Sequence, residues 1–116
     1  VARDRTAVMN NQTDIQRLRS SADQAHQLLK ALANRDRLLL LCQLVDGERN
    51  VGELEELLGI VQPTLSQQLA VLRREGLVDT RREGKQVYYS VASREALAIL
   101  HTLYGLFCAE ETPNEH

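Results

Sequence analysis

Two short amphipathic segments follow one another between Asn50 and Gly76 across a tight turn containing Gly59, and this order constrains the fold more than any other feature. In VGELEELLG, Leu54, Leu57 and Leu58 share one side. Asn50 and Glu53 have the spacing of a capping box, and Gly59 supplies the stop. In PTLSQQLAVLRREG, Pro63 suits the first turn, Leu65, Leu69 and Leu72 form the buried stripe, and Gly76 ends the helix. Such a pair is a helix-turn-helix. LVDTRR and QVYYSV come next, rich in β-formers and joined across Glu83-Gly84-Lys85, which predicts a hairpin directly behind it.

The flanks are helical. From Ile15 to Leu32 the apolar positions Ile15, Leu18, Ala22, Ala25, Leu29 and Leu32 alternate by three and four, a narrow seam suited to packing on another helix. Asn34 is placed to cap a helix from about Arg35 to Val45, ended by Asp46-Gly47. Its inner side is expected to hold Leu38, Leu41, Cys42 and Val45, so that Cys42 points inward. Ser93 caps a last helix to about Ala109, and that helix is apolar nearly all round, from Leu97 to Cys108. One small core cannot serve every side of it, so the first and last helices are expected to build a homodimer interface. The expected architecture is mainly α with a β-hairpin wing, in the order α-α-α-α-β-β-α.

At 116 residues the chain fits one domain, expected over residues 13–110 between a disordered segment 1–12 and a tail 111–116. No apolar run approaches the roughly 20 residues of a membrane span, and VARDRTAVMNNQTD lacks the apolar core of a signal peptide. A cytoplasmic location follows as the expectation, with no membrane partner. The two cysteines, Cys42 and Cys108, are too sparse for a secreted disulfide scaffold.

A net charge of −2 does not advertise a nucleic-acid binder, so a DNA face must come from local patterning. The signs do separate. Arg73, Arg74, Arg81, Arg82 and Lys85 outnumber the acids of their stretch, whereas Glu48 to Leu58 holds four acids and one arginine. On the second helix of the pair, Thr64, Gln67, Ala70, Val71 and Arg74 oppose the leucine stripe, with Ser66 and Gln68 on its flanks. Gln pairs with adenine edges, and Ser and Thr bond bases or phosphates. Gln62, Thr64, Ser66, Gln67 and Gln68 thus offer a polar reading surface for double-stranded DNA, with Arg74 beside it. Arg81, Arg82 and Lys85 on the hairpin can reach phosphates or an adjacent minor groove. A polar helix face alone is usually just a solvated face; the basic hairpin behind it favours DNA.

ALANRDRLLLL, followed by VGELEELLGIVQPTLSQQLAVLRREGLVDTRREGKQVYYSV, resembles the arsenic-repressor (ArsR/SmtB) family of bacterial regulators over about residues 25–108. The resemblance implies a dimeric winged-helix repressor that leaves its operator when an inducer is sensed. Gln68 departs from the pattern, since many relatives carry His there. The family's metal sites use Cys-x-Cys near the third helix or Asp, His and Glu on the last. Asn50-Val51-Gly52-Glu53 has no cysteine, and His101 stands alone among leucines, so neither a metal site nor a cofactor is expected.

Cys42 and Cys108 remain. The bland reading is two small buried hydrophobes. The resemblance extends to the sulfur- and redox-responsive branch of the family, and implies that these cysteines form a disulfide or sulfur-bridged switch answering an oxidant or reactive sulfur species. A metal- or metalloid-responsive repressor of the same fold is the alternative. A thiol oxidoreductase fits poorly, because a reactive thiol usually sits in CxxC at a helix N-terminus.

Overall fold

The computed structural model describes residues 12–108. The segments on either side, with nearly all of the expected disordered stretch and the whole of the expected tail, lie outside the described residues. Two compact units divide the chain between Lys30 and Ala31. Among the described residues no helix is long and apolar enough to cross a membrane.

The described residues of the first unit belong to helix α1 (Gln12–Leu32), with Asp14 in its first turn and Lys30 in its last, each sign opposing the helix dipole. Asp14 also pairs with Arg17 one turn on, at 3.4 Å. Along α1, Ile15, Leu18 and Leu29 are exposed.

The second unit holds α2 (Arg35–Val45), β1 (Arg49–Asn50), α3 (Val51–Leu58), α4 (Thr64–Arg74), β2 (Val78–Glu83), β3 (Gln86–Val91) and α5 (Arg94–Phe107). Three of its helices begin where short polar side chains can satisfy open N–H groups. Asn34 accepts from the Arg37 amide, Asn50 and Glu53 close a reciprocal capping box, and Ser93 accepts from the Ala96 amide. Gly59 ends α3 at φ +71°, a left-handed conformation that only glycine adopts cheaply.

The core is built mostly of leucine. Leu40, Leu41, Leu54, Leu65, Leu69 and Leu72 are its largest fully buried side chains, joined by Leu44, Leu77, Val78, Ala96 and Leu100. Helix α2 stands at the centre, packed against α3, α4, β3 and α5. Its inner side is Leu40, Leu41 and Leu44, not the set expected from the sequence. Cys42 is exposed. The run LLLLCQLV is apolar on every side, so its spacing leaves the rotation of the helix open. Once Leu40 and Leu44 face inward, Cys42 lies about 200° away from each at 3.6 residues per turn.

The hairpin pairs Val78 with Val91 through to Glu83 with Gln86, leaving Gly84 and Lys85 as a two-residue turn. Gly84 has φ +63° and Lys85 does not share the positive angle, the pattern of a type II′ turn. A third strand was not expected. β1 pairs antiparallel with β3, Arg49 opposite Tyr89 and Asn50 opposite Tyr88, giving the order β1-β3-β2. Two residues are too few to show a period of two, and Asn50 also serves as the α3 cap.

The rotation of α2 can be checked by unfolding. Leu44→Ala, at a position 2% exposed, should cost about 2–5 kcal/mol, as large-to-small changes in a core do. Cys42→Ala on the far side should cost less than about 1 kcal/mol. Urea titration followed by circular dichroism measures both, and equal losses would contradict the assignment.

Candidate nucleic-acid interface and thiol pair

Helix α4 turns Leu65, Leu69 and Leu72 into the core and leaves Ser66, Gln67, Ala70, Arg73 and Arg74 exposed. Thr64, Gln68 and Val71 are half-buried at its margins. Gln62, Gln68 and Arg81, all expected on the DNA face, make side-chain hydrogen bonds within the chain. Gln62 accepts from the Ser66 amide at 3.1 Å through Oε1, capping a helix whose N-cap position is held by Pro63. Gln68 accepts from Arg37 Nη1 at 2.7 Å.

The third is Arg81. Strand β3 lies between β1 and β2, and Tyr88 stands opposite both Asn50 and Arg81. The Arg81 guanidinium lies over the Tyr88 ring, 4.9 Å from its centroid, within cation–π range. It then bonds Glu48 with two nitrogens, the Nε contact being 3.2 Å, and donates to Glu83 at 2.7 Å. Arg81 thus clasps the wing to the segment before β1, a tie that the sequence did not announce. Arg82, its neighbour on the strand, is exposed, as is Lys85 at the turn. Neither makes an ion pair among the described residues. Arg74 is exposed too, with Glu75 at 3.9 Å.

The two cysteines belong to packed elements, Cys42 to α2 and Cys108 to the C-cap of α5. Both are free and exposed. Partial burial of the Cys42 sulfur pushes its pKa up, and negative charge on Cys108 pushes it further. That second cause exists because the fold brings the two sulfurs within electrostatic reach. His101 is exposed on α5, and the described residues include no cluster of three or more His, Cys, Asp or Glu suited to a metal. On the same helix Tyr104, Leu106 and Phe107 are 62%, 64% and 68% exposed, a large apolar surface for one chain to leave in water.

Comparison with known proteins fits this geometry. A family model for bacterial regulatory proteins of the arsR family matches residues 34–80. The biofilm growth-associated repressor of Xylella fastidiosa is 51% identical over 90 residues, spanning 78% of this chain and 79% of that protein. Its crystal structure covers 80% of this chain and 95% of its own, with TM-score 0.75 and 47% identity. The transcriptional activator HlyU of Vibrio cholerae is 45% identical over 95 residues, 82% of this chain and 88% of that protein. Its structure described as reduced gives TM-score 0.77 at 46% identity, covering 80% and 98% of the two chains. A homodimeric winged helix-turn-helix DNA-binding domain from Mycobacterium bovis gives TM-score 0.70 at 34% identity, covering 93% and 96%.

The second unit is therefore a winged helix-turn-helix of the kind found in DNA-binding regulators. The chain belongs to the arsR family of bacterial regulatory proteins, and its relatives are transcriptional regulators rather than enzymes.

The clasp has a pH signature. Hydrogen bonding to Arg81 lowers the Glu48 pKa below the usual carboxylate range. Its contribution to stability is then complete above the unfolded glutamate value and disappears as pH falls through the lowered folded value. The Tm difference between wild type and Glu48→Gln should be small, as for exposed pairs, and positive at neutral pH. It should vanish in acid. A difference that grew in acid would refute the clasp.

Proposed function

We propose that this chain is a transcriptional repressor that binds operator DNA as a homodimer in the cytoplasm and is released when Cys42 and Cys108 are oxidised or bridged by sulfur. The observation that carries the DNA reading is the exposed polar face of α4 backed by a wing with two uncommitted cations, Arg82 and Lys85. Gln67, with Thr64 and Ser66, meets base edges and nearby phosphates in the major groove, while Arg74, Arg82 and Lys85 meet the backbone. Gln62, Gln68 and Arg81 hold that surface in shape. The repressor sense follows the Xylella relative; the Vibrio relative is named an activator, and both senses require the same DNA contact.

Two apolar surfaces support the homodimer, the exposed positions of α1 and those of α5, taken each on its own helix. The Mycobacterium bovis neighbour is described as homodimeric. Two reading helices in such a dimer must meet half-sites about 34 Å apart, so a modest change in their separation affects binding.

The thiol reading rests on the electrostatic proximity of Cys42 and Cys108 and on the free, exposed state of both. With peroxide as oxidant, the two thiols lose two protons and two electrons, one S–S bond forms, and the peroxide is reduced to two waters. A disulfide needs Cα atoms about 4.4–6.8 Å apart, so closing the bond restrains α2 against the end of α5. A tenfold loss of DNA affinity requires only about 1.4 kcal/mol of coupling.

The test uses a duplex enriched from a random library by the reduced protein. Reduced wild type should bind it tightly, and peroxide or polysulfide should release it with a Cys42–Cys108 link detectable by mass spectrometry. Cys42→Ser and Cys108→Ser should bind equally well and fail to respond. Arg82→Ala should weaken binding to any duplex and lower the salt slope by about one ion. A wild-type complex that withstands oxidant yet dissociates with zinc or arsenite would end the thiol reading and leave a metal-responsive regulator.

A further inference from the structure

Arg37 lies on α2, one and a half turns before Cys42, and is half-buried. Two bonds of its guanidinium lead in different directions. Nε donates to the Ala31 carbonyl at 2.6 Å, and Nη1 donates to Gln68 Oε1 on α4 at 2.7 Å. The second contact ties the central helix of the unit to its reading helix by a polar bond beside the leucine core. A hydrogen bond from a charged donor is among the stronger ones in a folded chain.

The chemistry also fixes how Gln68 is turned. Amide oxygen and nitrogen are hard to tell apart by position alone, but an arginine has donors only. The atom facing Nη1 must therefore be the oxygen, and the amide nitrogen faces away. A glutamine reading adenine bidentately needs its oxygen for the N6 amine and its nitrogen for N7. In Gln68 the oxygen already has a charged partner, whereas Gln67 is exposed and keeps both groups available.

We propose that Arg37 is a positioning residue for DNA reading: it holds Gln68 by the oxygen, anchors α4 to α2, and leaves base reading to the neighbouring Gln67. The inference rests on the DNA-binding function proposed above and names which residues of that surface read and which support. Arg37 touches no DNA in this scheme. Its effect on binding passes through Gln68.

A double-mutant cycle tests this, with Arg37→Met and Gln68→Met, which remove the polar ends while keeping most of each stem. Fluorescence anisotropy with reduced protein is measured on the duplex enriched by wild type and on an unrelated duplex of the same length. Each single variant should lose about five- to tenfold on the enriched duplex and much less on the unrelated one. The double variant should bind within about twofold of the weaker single variant, because both remove the same bond.

Additive losses, or a loss with Gln68→Met alone, would overturn the proposal and make Gln68 an independent reader. A lower melting temperature with unchanged affinity, measured well below unfolding, would reduce the tie to a structural role and overturn it equally. A second measurement needs no change at Arg37: side-chain nitrogen NMR of wild type should show hindered guanidinium rotation that Gln68→Met releases. Rotation unaffected by Gln68→Met would overturn the tie even if Arg37→Met failed to fold. Failure of wild type to prefer the enriched duplex would instead strike at the DNA-binding function itself.

Discussion

Burial of Leu40, Leu41 and Leu44 on α2 is the constraint on which the second unit depends. Each buried leucine side chain is worth about 1.5–3 kcal/mol, and the helix that carries these three packs against α3, α4, β3 and α5. Helix α3, at eight residues, is far below the length at which an isolated helix holds together in water. It persists because Leu54 enters that core and because its capping box and Gly59 close its ends. The reading helix is held in the same way, by Leu65, Leu69 and Leu72. Whatever moves α2 therefore has a direct mechanical path to α4, and Cys42 and Arg37 both ride on α2.

Charge is managed locally. A net charge of −2 is compatible with DNA binding only because the acids lie elsewhere or are spent on arginines. Glu48 and Glu83 are spent on Arg81, which stacks on Tyr88 and stiffens the wing. On the proposed DNA face the exposed cations are Arg82 and Lys85 with those at the end of α4. In the proposed complex, long-range attraction to DNA is accordingly modest, and recognition leans on the shape and polar groups of α4.

Much of this was legible in the sequence, because caps and stops act locally. Asn34, Asn50 with Glu53, Gly59, Gly76 and Ser93 each mark a boundary by satisfying nearby backbone or supplying a positive φ, and all fall where the pattern put them. What depended on partners far along the chain was not legible. The rotation of α2 is set by four surrounding elements, so a run apolar but for Gln43 misplaced Cys42. Strand β1 exists only because β3 lies beside it. The intrachain partners of Arg81 and Gln68 were not legible, since nothing within a few residues of either announces Glu48 or Arg37. The spacings of 33 and 31 residues that separate those pairs carry no periodic signal.

The central claim is that α2 is the shared support of the thiol pair and the reading helix. Hydrogen exchange of the reduced and the peroxide-oxidised protein, resolved by residue and without DNA, tests it most directly. Oxidation should change amide protection along α2 and onward into α4 around Gln67 and Gln68. Changes confined to the end of α5, with α4 exchanging identically in both states, would contradict it.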